Sequence, residues 1–144
     1  MTSLVDTNVL VYRFDSRFPR KQEIATDLLR TGISNDSVRV PHQAIVEFAP
    51  AVTRPVGEER RPMMSLVDAR REAEEMLSQF DVLYPTAALV RLAIRGSATY
   101  QLSCFDAHIW ACAELYGMSE LLSEDFQHGR LYGTVRARNP FIEV

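Results

Sequence analysis

Short β-branched or apolar runs alternate along this chain with helix-patterned stretches of ten or more residues, and that alternation constrains the fold more than any single motif. Two strands that pair in parallel need a long crossover between them, and a helix is the usual one. The run "SLV" opens the series, and "PRKQEIATDLLRTG" follows as an amphipathic helix with Ile24, Leu28 and Leu29 at helical spacing and Gly32 placed to end it. "SVRVP" supplies the second strand. "HQAIVEFAPAVTR" reads as a helix bent or shortened near Pro50, and "RPMMSLVDARREAEEMLSQF" as a longer one entered through Pro62. "DVLYP" and "SELLSED" are strands that bracket the helices "TAALVRLAIRG" and "SCFDAHIWACAELYG", the latter closed by Gly117, and "GTVRARNP" is a last strand. The expected architecture is a three-layer α/β/α sandwich around a mainly parallel sheet, with residues 1–144 forming a single domain.

A chain of 144 residues is long enough to bury one sizeable core. No stretch approaches the ~20 continuous apolar residues of a membrane span. No basic segment followed by an apolar one precedes "DTN", so the expected location is the cytoplasm. Cys104 and Cys112 are eight residues apart in one helix, ~12 Å along its axis, too far for the ~7 Å that a disulfide requires. No Cys/His spacing of a metal site accompanies them. The net charge of −3 excludes a molecule that attracts nucleic acid by overall charge.

The stretch "SLVDTNVLVYRF" places an acid and two small polar residues inside an apolar run. Strand Ser3–Val5 stops at Asp6, and Thr7 and Asn8 turn the chain into a helix beginning near Val9. Asp125 follows the strand "ELLS", so in a parallel sheet it projects from the same edge as Asp6. Glu47, in the second turn of its helix, and Asp106, in the first turn of another, enter from that edge. Each acid also has a purely structural role open to it. Asp6 could cap a helix, Asp125 could start a turn, Glu47 could face solvent, and "SCFD" fits the S-x-x-[DE] capping pattern.

Taken together, the four acids carry a stronger implication. Two carboxylates ~4 Å apart repel by about 4 kcal/mol at an effective dielectric near 20, so converging acids without a cation protonate or splay apart. A set of oxygen ligands suits a hard divalent ion, with magnesium the first choice and manganese a substitute. Such a site supports metal-assisted phosphodiester hydrolysis. Thr7, Asn8 and Ser123 are placed to orient the acids by hydrogen bonds.

The order of "VDTNVLVY", "QAIVEF", "SCFDAHIWACAE" and "LLSEDFQHG" resembles the PIN-domain family, in particular the VapC-type toxin ribonucleases of bacterial toxin-antitoxin pairs. The resemblance covers nearly the whole chain. It maps the family's metal-binding and catalytic acids onto Asp6, Glu47, Asp106 and Asp125, its small hydroxyl residue onto Ser123, and its polar residue after the first acid onto Thr7 or Asn8. Val46 stands where many relatives carry a polar residue, and Pro50 soon follows Glu47. The resemblance implies an endoribonuclease that cuts single-stranded or looped RNA to leave a 3′ hydroxyl and a 5′ phosphate. It also implies inhibition by a VapB-like antitoxin.

Two rival readings use the same acids. A haloacid-dehalogenase-like phosphotransferase or a response-regulator receiver needs a late lysine, whereas Lys21 is the only lysine and "DTN" lacks a second aspartate. A non-catalytic binding scaffold would keep the acids merely as caps. Arg13, Arg17 and Arg20 follow the Asp6 turn closely and are the candidate RNA contacts. The apolar runs "ALVRLAI" and "MMSLVDA" are candidate faces for an antitoxin helix or a second copy of the chain in a homodimer.

Overall fold

The computed structural model describes residues 2–142. The elements follow as β1 (Ser3–Val5), α1 (Thr7–Tyr12), α2 (Pro19–Asn35), β2 (Val38–Pro41), α3 (His42–Thr53) and α4 (Leu66–Gln79). Then come β3 (Asp81–Leu83), α5 (Ala87–Tyr100), α6 (Cys104–Leu115), β4 (Glu120–Leu122), β5 (Leu131–Tyr132) and β6 (Val135–Arg138). The strands form one sheet in the order β3-β2-β1-β4-β6-β5. All pairings are parallel except β5 with β6. Helices cover both faces, as the alternation of strand and helix requires.

The period of two along each strand divides the core between those faces. Leu4 and Leu121 point toward α5 and α6, where they pack with Ala93, Ile109 and Trp110. Their neighbours Val5 and Leu122 point the other way, into a second cluster with Leu10, Leu29, Phe48 and Met76 from α1 to α4. A slip of one residue in either central strand would exchange the two sets, so the register is strongly specified.

Several helix boundaries differ from the sequence expectation. Helix α1 begins at Thr7 rather than near Val9, because Asp6 is its N-cap and accepts a bond from the Thr7 amide at 2.7 Å. Gly32 lies inside α2, which continues to Asn35 and is capped by Asp36 in the left-handed region. A side chain at Gly32 would meet Val38 of β2, so this glycine serves helix–sheet contact rather than termination. Gly96 likewise lies inside α5, where Trp110 of α6 occupies the space a Cβ would need. Pro50 does not end α3, which runs on to Thr53. Pro62 precedes α4 altogether; Ser65 is the N-cap, accepting from the Asp68 amide at 3.1 Å.

Cys104 and Cys112 are both unpaired thiols on α6. Among the described residues, no helix is long and apolar enough to cross a membrane.

Sheet order reverses at β1, with β2 and β3 on one side and β4, β6 and β5 on the other. Loops leaving the carboxyl ends of β1 and β4 therefore diverge to opposite faces, leaving a crevice between them. Asp6 and Asp125 lie there.

Candidate active site

The crevice is fixed by the backbone. The Asp6 amide donates to the Leu122 carbonyl at 3.0 Å, extending the β1–β4 pairing by one step and bringing Asp6 beside Ser123. Asp6 is buried at 4% exposure, and Ser123 is fully buried. The Ser123 hydroxyl donates to Asp6 Oδ2 at 2.7 Å and accepts from the Asp125 amide at 3.0 Å and from Asn8 Nδ2 at 3.2 Å. Asn8 Nδ2 also reaches Asp125 Oδ2 at 3.2 Å, and its Oδ1 accepts from the Glu124 amide at 3.4 Å. One serine and one asparagine thus couple the two strand ends.

Asp106 arrives from the opposite face of the sheet. Ser103 caps α6 by accepting from the Asp106 amide at 3.1 Å, so the capping pattern in the sequence is real. The cap uses the backbone of Asp106 and leaves its carboxylate on the crevice. Carboxylate oxygens of Asp6, Asp106 and Asp125 lie within 4.8 Å of one another. Capping and convergence are compatible for Asp6 and Asp106 alike.

Glu47 stands beside this group of three rather than in it. Its Oε2 accepts from Thr7 Oγ1 at 2.6 Å, and Gln43 Nε2 donates to its Oε1 at 3.2 Å and to the Phe105 carbonyl at 3.0 Å. Thr7 and Gln43 therefore link Glu47 to the neighbours of Asp6 and Asp106. The four acids, Thr7, Asn8 and Ser123 thus border one crevice, with Glu47 joined to it through Thr7 and Gln43.

The electrostatics match the crowding. Asp6 is pushed up from 3.8 to about 7, mainly because burial disfavours its charge, with Asp125 and Asp106 adding repulsion against the lowering effect of the Ser123 and Thr7 bonds. Asp106 is also raised, chiefly by burial and then by Asp125, with Glu47 adding repulsion. Among the described residues, no positive charge offsets burial at Asp6 or Asp106. Three convergent anionic oxygen donors fit a hard divalent cation, which would relieve both the burial penalty and the repulsion.

The candidate arginines have different fates. Arg13 is half-buried against the rings of Phe14 and Phe80, and its Nε is buried without a hydrogen-bond partner among the described residues. Arg20 pairs with Glu23 on the surface at 3.2 Å. Arg17 alone lines the hollow that also contains Asp125, Thr7 and Asn8. Sequence reasoning missed Tyr12 and Lys21, which grip Glu124 at 2.8 and 3.2 Å beside Asp125. Spacing gave a partial signal for Tyr12, which lies one helical turn beyond Asn8 on α1.

The sequence matches the PIN domain family over residues 3–133, and the chain belongs to that family. A search of curated proteins finds no significant match. Solved structures share the fold. VapBC2 from Rickettsia felis bound to a DNA fragment from its promoter is similar with a TM-score of 0.68 and 12% identity, covering 96% of this chain and 98% of that one. FitAcB from Neisseria gonorrhoeae gives 0.68 and 17% identity over 97% and 99% of the two chains. VapC20 of Mycobacterium tuberculosis, a Sarcin-Ricin loop cleaving toxin, gives 0.56 and 18% identity over 83% and 87%.

Proposed function

We propose that this chain is a divalent-metal-dependent endoribonuclease, the VapC-type toxin of a toxin-antitoxin pair acting in the cytoplasm. The convergence of Asp6, Asp106 and Asp125 within 4.8 Å, in a member of the PIN domain family, carries this reading. RNA as substrate is supported by the likeness in fold to a toxin that cleaves the Sarcin-Ricin loop.

Asp6, Asp106 and Asp125 would hold magnesium, or manganese in its place, with Glu47 facing the same space through Thr7. The ion, when bound, supplies Lewis-acid stabilisation of charge on the phosphate oxygens. The protein's own groups do the positioning. Ser123 and Asn8 orient Asp6 and Asp125 through bonds of 2.7 and 3.2 Å, which reduces the side-chain ordering left for the moment of reaction. Glu47, fixed at both oxygens by Thr7 and Gln43, is the carboxylate available to accept a proton from an attacking water. Lys21 is engaged with Glu124 and Tyr12, so it does not serve as the free cation of a phosphotransferase site.

Two protein partners complete the proposal. Val46 on α3, Tyr84 before α5, Ile94 in the middle of α5 and Phe105 at the start of α6 are exposed large apolar side chains. Val46 also lines a hollow of about 300 Å³ with Leu83, Leu89 and Val90, and with His42 and His108 among its polar neighbours. This face is suited to a second copy of the chain, one of the two occupants that the "ALVRLAI" run left open. Leu66 and Val67 on α4 are exposed on the other face and suit the apolar side of an antitoxin helix. A structural neighbour that is a toxin-antitoxin complex from Klebsiella pneumoniae, and the DNA-bound VapBC from Salmonella typhimurium, support such a partner.

The test is cleavage of labelled RNA by purified protein. Activity that requires magnesium or manganese, is abolished by EDTA and is lost in Asp125→Asn supports the reading. Metal-independent cleavage, or full activity in that variant, refutes it.

A further inference from the structure

A groove between α1 and α3 leads away from the acids. It holds about 260 Å³, with Asp125, Thr7 and Asn8 at one end and Arg17 and Arg54 among its other lining residues. Val11 and the small side chain of Ala51 leave it open between the two helices. Ala51 and Arg54 follow Glu47 by four and seven positions, so they continue its face of α3, and Arg54 lies ~10 Å from Glu47 along the helix axis. The groove therefore connects the acid cluster with a cation two helical turns away.

The cations around this groove are not equivalent. Arg17 is held by the buried carboxylate of Asp15 through bonds of 2.9 and 2.8 Å, so its charge is matched. Lys21 is matched by Glu124. Arg54 is exposed at the C-cap of α3 and has no ion pair or hydrogen bond among the described residues. It is the cation in the groove that retains its full attraction for an anion.

We propose that Arg54 binds a backbone phosphate of the RNA strand flanking the phosphate that is cut, making the α1–α3 groove the track along which the substrate enters the acid cluster. The proposal rests on the ribonuclease reading and names its substrate subsite. A polyanion approaching clustered carboxylates is repelled until an unmatched cation lies within reach of its next charges, and Arg54 meets that need. Asp15-locked Arg17 forms the groove wall beside it, stacked over Phe18 at 5.1 Å.

The experiment compares the parent with Arg54→Gln, Arg54→Lys and Arg70→Gln, using a fluorescein-labelled single-stranded RNA oligonucleotide. Binding is measured in calcium across a salt series, and cleavage in magnesium on the same preparations. Arg54→Gln is expected to weaken binding roughly tenfold and to reduce the slope of log K against log salt by ~0.7. Its KM should rise while kcat stays within about twofold of the parent's. Arg54→Lys should restore the salt slope, and Arg70→Gln, on α4 outside the groove, should change neither quantity. Parent-like affinity, salt slope and KM in Arg54→Gln overturn the subsite, including the case in which Arg54 instead takes a carboxylate of a protein inhibitor. If the parent binds RNA with an Arg54-dependent slope but does not cut it, the phosphate site stands and the nuclease reading falls. If the parent cuts RNA and Arg54→Gln is indistinguishable from it, the nuclease stands and the subsite falls.

Discussion

Replacing Asp6 by asparagine should make the metal-free protein less stable in acid and more stable above neutrality. In the parent, Asp6 is raised from 3.8 to about 7, chiefly by burial. Its folded-state value thus lies above its unfolded one. Below pH 3.8 both states are protonated and the group contributes no pH dependence. Between 3.8 and about 7 the folded state holds the extra proton, so stability falls as pH rises, by about 1.4 kcal/mol for each pH unit. Across the whole window the loss reaches roughly 4 kcal/mol.

Asparagine removes that slope at a fixed cost. Its amide oxygen can still accept from the Thr7 amide, but its NH₂ would replace Oδ2 against the Ser123 hydroxyl. That hydroxyl already accepts from Asn8 and from the Asp125 amide. A donor left without an acceptor costs about 1–3 kcal/mol at every pH. The two stability curves should therefore cross between acid and neutral pH. Urea denaturation in EDTA from pH 4 to pH 8 measures the difference directly, because Asp106 is present in both proteins. Adding magnesium at about a hundredfold over its Kd should then stabilise the parent by roughly 2.7 kcal/mol and the variant far less. A difference between the proteins that stays flat, or moves in the parent's favour as pH rises, would refute the claim that Asp6 is a buried, uncompensated carboxylate.

Other perturbations test separate parts of the structure. Asp106→Asn keeps the backbone amide that Ser103 caps, so its melting temperature in EDTA should not fall, while RNA cleavage drops by more than roughly a hundredfold; unchanged cleavage would reduce Asp106 to a cap residue. Gly96→Ala drives a methyl group into the Trp110 ring and should lose about 1–3 kcal/mol in urea denaturation, a result that a neutral substitution would contradict. Ile94→Glu places a charge on the exposed apolar face of α5, and light scattering should show the proposed dimer converted to monomer. Thr7→Val removes the 2.6 Å bond to Glu47 and should slow cleavage roughly tenfold with magnesium affinity little changed.

The acids were legible in the sequence because a parallel sheet turns strand-end positions into spatial neighbours. Asp6 and Asp125 follow strands that pair in register, Leu4 with Leu121 and Val5 with Leu122, so their meeting depends on topology more than on side-chain detail. Glu47 was harder to place. It is carried by a helix, and its relation to the site runs through Thr7 and Gln43, whose rotamers no pattern encodes. Gly32 misled for a related reason. Local rules read glycine as a stop, whereas Val38, on another element, requires the missing side chain. The arginines near Asp6 were alike in sequence and became distinct only when Asp15, Glu23 and Phe80 claimed them separately.

The N-cap at Asp6 bears on why the residue is an aspartate at all. Asparagine, serine and aspartate cap helices about equally well, so capping alone would be served by a neutral side chain. Burial would also favour one, since the Thr7 and Ser123 bonds lower the Asp6 value less than burial and its acidic neighbours raise it. The same reasoning applies to Asp106, where Ser103 already provides the cap and the carboxylate adds repulsion to the cluster. Two acids that oppose folding stability at neutral pH, held side by side where a neutral residue would suffice, make sense when the charge itself has a use. A cation at their meeting point converts the unfavourable repulsion into ligation, which is why metal-dependent stabilisation, rather than helix capping, is the property that separates the catalytic reading from the scaffold.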